Sequence, residues 1–293
     1  MNKPIRKAVV PVAGFGTRLL PVTKSVPKEL LPIVDVPAIQ VIVEECIASG
    51  IEEVIFITAR GKAGIVDHFD YSYELETYLA EKNKPRALET VRRVSSMIRT
   101  IAVRQKEPLG FGHAILCAKE VVGDEPFIIV LPDDIISSKV PVIRQMVDVY
   151  EKYGQGVVSV MRVDREDVSN YGIVDGESWA EGLYRVRTLV EKPSPDIAPS
   201  NLAIIGRYIL PPIIFEYLEE AAEKHGVPIQ LTDALARLAH DRALIGFEFE
   251  GERHDTGDRL GLITANIDYA LKREDIGPEL KEFLRKKHEA GEF

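Results

Sequence analysis

Two glycines and three cations crowd one short stretch of this chain. Gly14 and Gly16 follow the apolar run Ala8-Val9-Val10-Pro11-Val12, and Arg18, Lys24 and Lys28 arrive soon after. A buried strand, a turn whose backbone N–H groups are free, and nearby cations together suit a polyphosphate held at a sheet edge. The wording of the turn excludes two common phosphate loops. Leu19 stands where a dinucleotide-binding GxGxxG carries its third glycine, and no Gly-Lys-Ser or Gly-Lys-Thr follows at P-loop distance. Hydride transfer and P-loop phosphoryl transfer both recede, and a third kind of nucleotide loop is required.

Carboxylates gather further on. Asp133 and Asp134 close the apolar run 126–131, at the carboxyl end of a strand, where ligands of open α/β sheets bind. An aspartate there suits Mg2+, which takes one or two carboxylates plus phosphate oxygens, and it equally suits an ordinary turn. Either of the pair could hold an ion. Asp258 precedes a helical run and reads as its cap. His254 has no second His or Cys at ligand spacing, which speaks against a zinc-type site. Glu191 and Lys192 follow a strand, where an exposed ion pair is the simpler reading. Gln105 follows another; its amide can match the imide edge of a base, although an exposed loop glutamine is the commoner case.

Positioning these groups takes alternating strands and helices. β-Branched runs at 7–12, 53–58, 100–104 and 126–131 predict strands, and Pro37 opens a helix with apolar Ile39, Ile42, Val43, Cys46 and Ile47 that Gly50 ends. Residues 62–97 hold two helical patterns without a strand and predict an inserted hairpin, its tyrosines and leucines packing inward. From 156 onward the runs Val157 to Val163, Gly172 to Asp175, Tyr184 to Val190 and Ala203 to Ile209 predict antiparallel strands. The fold class expected is α/β: a Rossmann-like, mixed, mostly parallel sheet flanked by helices, with an antiparallel second half. One domain spans 1–293, made of a nucleotide-binding half to about 155 with its insertion at 62–97, a second half over 156–257, and C-terminal helices over 258–293.

The 293 residues are 45% hydrophobic and 28% charged, enough for a large α/β core. A net charge of −9 repels nucleic acid and anionic membranes, so neither is an expected partner, and anionic substrates need local cations and a metal. Cys46 and Cys117 form no CxxC pair and read as reduced core thiols. No signal-peptide pattern and no apolar run of roughly 20 residues occurs, which places the protein in the cytoplasm.

The glycine turn followed by Pro27-Lys28-Glu29-Leu30-Leu31-Pro32 resembles the signature of the sugar-nucleotide pyrophosphorylases, a nucleotidyltransferase family with a Rossmann-like core. Pro108-Leu109-Gly110-Phe111-Gly112-His113-Ala114 and Ala198-Pro199-Ser200-Asn201-Leu202-Ala203 are similar to its bacterial uridylyl branch, so the resemblance spans nearly the whole chain. It implies transfer of a uridylyl group from UTP to glucose 1-phosphate, with Mg2+ as cofactor and a homo-oligomer, dimer or tetramer, as the assembly. It implies nucleotide contacts from Ala13, Gly14, Gly16, Thr17, Glu29, Gln105 and Gly110, catalytic roles for Arg18, Lys28, Asp133 and Lys192, and metal ligation by Asp133 with Asp255. Gly172 becomes the floor under the sugar, Glu191 its hydroxyl contact and Lys192 its phosphate contact. A thymidylyl enzyme of the same family is the near rival, but the usual Gln-Leu-Leu-Pro wording is absent. A catalytically silent sugar-nucleotide sensor is the other, and the joint presence of Arg18, Lys28, Asp133 and Lys192 speaks against it.

Overall fold

Runs that are apolar at every position need cover on both faces, and here they form the centre of a nine-stranded sheet. In the computed structural model, which describes residues 2–225 and 227–292, β1 (Lys7–Pro11) leads through the short ribbon β2 (Pro32–Ile33) and β3 (Val36–Pro37) into α1 (Ala38–Ala48) and β4 (Glu53–Thr58). Three helices follow, α2 (Ala63–Asp67), α3 (Tyr73–Glu81) and α4 (Pro85–Ser96), then β5 (Arg99–Arg104), α5 (Phe111–Leu116), α6 (Lys119–Val122) and β6 (Phe127–Val130). Strands β5-β4-β1-β6 lie side by side and parallel.

The second half begins with β7 (Asp134–Ser137) and α7 (Val142–Tyr153) and continues through β8 (Gly156–Arg162), β9 (Gly172–Ala180), β10 (Leu183–Glu191) and β11 (Leu202–Leu210). It closes with α8 (Ile214–His225), α9 (Leu231–Arg242), β12 (Leu244–Glu248), β13 (Glu252–Asp255), α10 (Arg259–Lys272) and α11 (Gly277–Glu289). From β6 the sheet continues β11-β8-β12-β10-β9, antiparallel except for the parallel pair β8–β12. The four expected strands pair antiparallel, and β12, not among them, adds the parallel pair. Gly246 interrupts the short run of β12 and hides it from a pattern search.

Alternation along the central strands feeds a core on each face. Ala8, Val10, Ile128 and Val130 pack with Ile39 and Val43 of α1 and Ile143 and Met146 of α7. Val9, Phe127 and Ile129 point the other way, to Ile115 of α5, Phe215 and Leu218 of α8, and Leu235 of α9.

The inserted segment is helical and Phe69 packs inward against Phe56, but its tyrosines do not. Tyr71, Tyr73 and Tyr78 are 72%, 80% and 50% exposed. Among their described residues α3 buries only Leu79 and α4 only Val94, a seam too narrow to cover three rings. Asp258 does cap α10, accepting the Gly261 N–H at 2.8 Å. Both cysteines are free, Cys46 buried and Cys117 half-buried. No helix of the described residues is long and apolar enough to cross a membrane.

Candidate active site

Beyond β1 the chain reverses over the carboxyl edge of the sheet. Gly16 turns it at φ 68°, a conformation that strains a residue with a side chain, and a Cβ there would sit 3.2 Å from Lys28 Cβ. Thr23 Oγ1 donates to Gly16 O at 2.8 Å and folds the loop back toward Lys28. Among the described residues the backbone N–H groups of Ala13, Gly14, Phe15 and Gly16 have no partner, so they are available to an anion.

Carboxylates from distant parts of the chain meet those cations. β13 pairs antiparallel with β7, setting Asp255 opposite Asp134, and the Thr256 N–H donates to Asp133 O at 2.8 Å. Lys28 Nζ donates to Asp133 Oδ2 at 2.5 Å, and Arg18 lies 3.6 Å from that oxygen and 3.2 Å from Asp255 Oδ2. Burial pushes the Asp133 carboxyl up. The charge and hydrogen bond of Lys28, backbone hydrogen bonding and Arg18 outweigh it and hold the group below the usual carboxylate range. A Cβ on Gly257 would lie 2.7 Å from Asp133 Oδ2 and 2.9 Å from Asp255 Oδ1. The two carboxylates therefore face one space beside a glycine, into which the Arg18 guanidinium also reaches, and with Arg18 turned away they form a set of hard oxygen donors that fits a divalent cation.

Asp134 borders the same space but is engaged by the protein itself. It is 5% exposed, accepts the Gly206 N–H at 3.1 Å and pairs with Arg253, which leaves Asp133 as the one that faces the shared space. Arg207, fully buried in β11, donates to Leu131 O at 3.2 Å and Asp134 O at 2.8 Å and pairs with Glu45 at 2.7 Å. Its guanidinium thus holds both sides of the turn that carries Asp133. A lone arginine inside the nine-residue apolar strand Leu202–Leu210 is the one sequence signal that could have found it.

Two cavities meet at this turn. The smaller, about 390 Å³, is lined by Ala13, Gly14, Lys28, Glu29, Gln105 and Gly110, the larger, about 730 Å³, by Arg18, Gly172, Glu191, Lys192 and Asp255. Phe111, Leu131 and Asp133 line both. Gly16 and Thr17 border neither. Gln105 is a buried residue, not a surface glutamine: Nε2 donates to Gly110 O at 3.3 Å and lies 3.0 Å from His113 Nδ1. Glu29 is buried against Lys62 at 2.8 Å, with Oε1 lacking any hydrogen-bond partner among the described residues. Its burial pushes the carboxyl up by more than Lys62 and the nearby hydrogen bonds draw it down.

In the larger cavity the expected Glu191–Lys192 ion pair is not formed. Glu191 accepts from Thr232 Oγ1 at 3.2 Å, while Lys192, at a left-handed φ of 44°, donates its backbone N–H to Tyr171 O at 3.0 Å. A non-glycine residue held there is strained, the kind of outlier that collects at ligand sites. Thr232, Arg253 and Tyr171 also line this cavity, and no local motif signals the first two. His254 alternates away from the site and lies buried with Nε2 3.4 Å from Asp268 of α10.

Residues 7–272 match the family described as nucleotidyl transferase. The chain is 46% identical over 282 residues to the UTP–glucose-1-phosphate uridylyltransferase of Bacillus subtilis, covering 96% of this chain and 97% of that one. It superposes on a structure described as UTP-bound UGPase from Acinetobacter baumannii with a TM-score of 0.89 at 38% identity, covering 96% and 98% of the two chains. A UDP-glucose pyrophosphorylase complexed with UDP-glucose matches with a TM-score of 0.83 at 44% identity, over 92% of this chain and 100% of that one.

Proposed function

The chain belongs to the nucleotidyl transferase family, and from that premise we propose that it transfers a uridylyl group from UTP to glucose 1-phosphate, giving UDP-glucose and pyrophosphate. The observation that carries this reading is the meeting of two cavities at Asp133. A nucleoside triphosphate in the smaller and a hexose phosphate in the larger bring the α-phosphorus and the attacking phosphate oxygen together at that carboxylate.

No general base is needed, because a phosphate monoester with a second pKa of about 6 is already mostly dianionic at neutral pH. What remains is positioning and charge neutralisation. The unpartnered amides at 13–16 take phosphate oxygens, and Lys28 and Arg18, which neutralise Asp133 and Asp255 in the free protein, turn to the polyphosphate. Asp133 and Asp255 hold a divalent metal, Mg2+ in this reading, whose charge offsets that of the two anions. Lys192, without an ion pair among the described residues, receives the phosphate of the sugar over Gly172, and Glu191 takes hexose hydroxyls. Gln105 and the Gly110 backbone meet the uracil imide edge. Glu29 Oε1, the orphaned acceptor, takes a ribose hydroxyl.

The reaction is assigned to the cytoplasm, with the two small molecules as partners. A homo-oligomer is supported by a row of exposed apolar residues on α10, Leu260, Ile263, Ile267 and Leu271. The deciding experiment is metal-dependent pyrophosphate release with glucose 1-phosphate and UTP, dTTP, CTP or ATP in parallel. Strong preference for UTP is expected. Equal use of dTTP transfers the reading to the thymidylyl branch, and no turnover despite UDP-glucose binding makes the protein a sensor.

A further inference from the structure

Arg253 is the cation in the larger cavity that neither the glycine loop, with Arg18, nor the end of β10, with Lys192, supplies. On β13 it shares a face with Asp255, two residues on, and its side chain is only 12% exposed. A desolvated guanidinium needs partners in several directions, and this one has three. One edge pairs with the buried carboxylate of Asp134, beside the Asp133 turn. The Nη2 of that same edge also lies 3.7 Å from Asp255 Oδ2. Nη1 donates to Tyr171 Oη at 3.2 Å, with the guanidinium carbon 5.4 Å from the Tyr171 ring centre. Tyr171 in turn adjoins Gly172 and accepts the Lys192 N–H through its carbonyl.

We infer that Arg253 is a positioning residue that fixes the metal-facing carboxylates relative to the floor and phosphate cation of the sugar site. This rests on the uridylyl-transfer reading and assigns to one planar fork the spacing between the attacking phosphate and the α-phosphorus. A lysine could neutralise Asp134 but, as a point charge, could not reach Tyr171 and Asp255 in the same geometry. Partners that orient metal ligands typically matter by about 10-fold to 100-fold in affinity or activity when removed.

The test compares wild type, Arg253→Lys and Tyr171→Phe by steady-state kinetics, by Mn2+ titration followed through water-proton relaxation, and by calorimetric titration of UDP-glucose. For Arg253→Lys the expected result is a KM for glucose 1-phosphate raised roughly 10-fold, weaker Mn2+ and UDP-glucose binding, and a smaller rise in the KM for UTP, whose cavity Arg253 does not line. Tyr171→Phe, which keeps the ring and removes only the hydroxyl, is expected to raise the KM for glucose 1-phosphate by a few-fold, about the worth of one hydrogen bond, and to leave Mn2+ binding alone. Wild-type Mn2+ affinity and wild-type KM for the sugar phosphate in Arg253→Lys overturn the inference, as does a loss of kcat with both KM values unmoved. If wild type itself releases no pyrophosphate, the transfer reading fails, while the two binding titrations still decide whether Arg253 orients the carboxylates and the sugar floor.

Discussion

In the parallel half, the binding groups stand where strands end. β1 runs into the 13–16 amides, β5 into Gln105 and β6 into Asp133, each within a few residues of its strand. In the antiparallel half they are assembled by pairing across the chain: Asp255 reaches Asp133 because β13 lies against β7, and Glu191 meets Thr232 from the start of α9. The parallel edge concentrates its chemistry in short local words. The antiparallel side builds the same cavity from residues tens of positions apart, each unremarkable where it stands.

If the two halves meet functionally at the Asp133 turn, damage there must exceed damage on either side. Asp133→Ala removes the carboxylate shared by both cavities and leaves Lys28 without its partner; turnover is expected to fall by roughly 10²-fold or more while the folded protein survives. Steady-state kinetics beside circular dichroism checks this. Wild-type kinetics in folded Asp133→Ala would remove the turn from the chemistry.

Lys192→Ala should separate the halves. Lys192 lines only the larger cavity, so the loss, roughly 10²-fold in kcat/KM, should fall on glucose 1-phosphate with the KM for UTP nearly unmoved. A matching rise in the KM for UTP would show that the two cavities act as one site.

These differences also explain how much could be read in advance. The glycine turn, Lys28 and Asp133 were legible because strand-end geometry puts neighbours in sequence near one ligand. Asp255 needed a family resemblance, since nothing within 252–258 says that β13 pairs with β7. Arg207 and Arg253 stayed hidden because a buried arginine is defined by carbonyls and carboxylates supplied from elsewhere. The exposed tyrosines of the insertion fail for the opposite reason: helical spacing of aromatics predicts a buried face only where something covers it, and α3 and α4 cover little beyond each other.

A smaller effect sharpens the nucleotide side. Gln105→Ala should relax discrimination between UTP and other nucleotides by about 10-fold, because a buried amide set to match an imide edge leaves a wrong base with unpaired groups. Competition between UTP and CTP measures it, and an intact UTP preference would take base reading away from Gln105.

The smallest effect is in the pH dependence, and its sign follows from Asp133. Its carboxyl is held below the usual range in the folded protein, so ionisation stabilises the fold at any pH above the unfolded value of about 3.9. That contribution disappears only as pH falls through the lower, folded value. The urea midpoint difference between wild type and Asp133→Asn should therefore stay flat from pH 7 to 5 and begin to close only below about 4. The acid limb of kcat/KM, by contrast, should lie near 6, where the substrate phosphate takes up its proton. An acid limb that moves with the stability difference would mean that Asp133 titrates within the working range, and that Lys28 and Arg18 hold it less firmly than their contacts require.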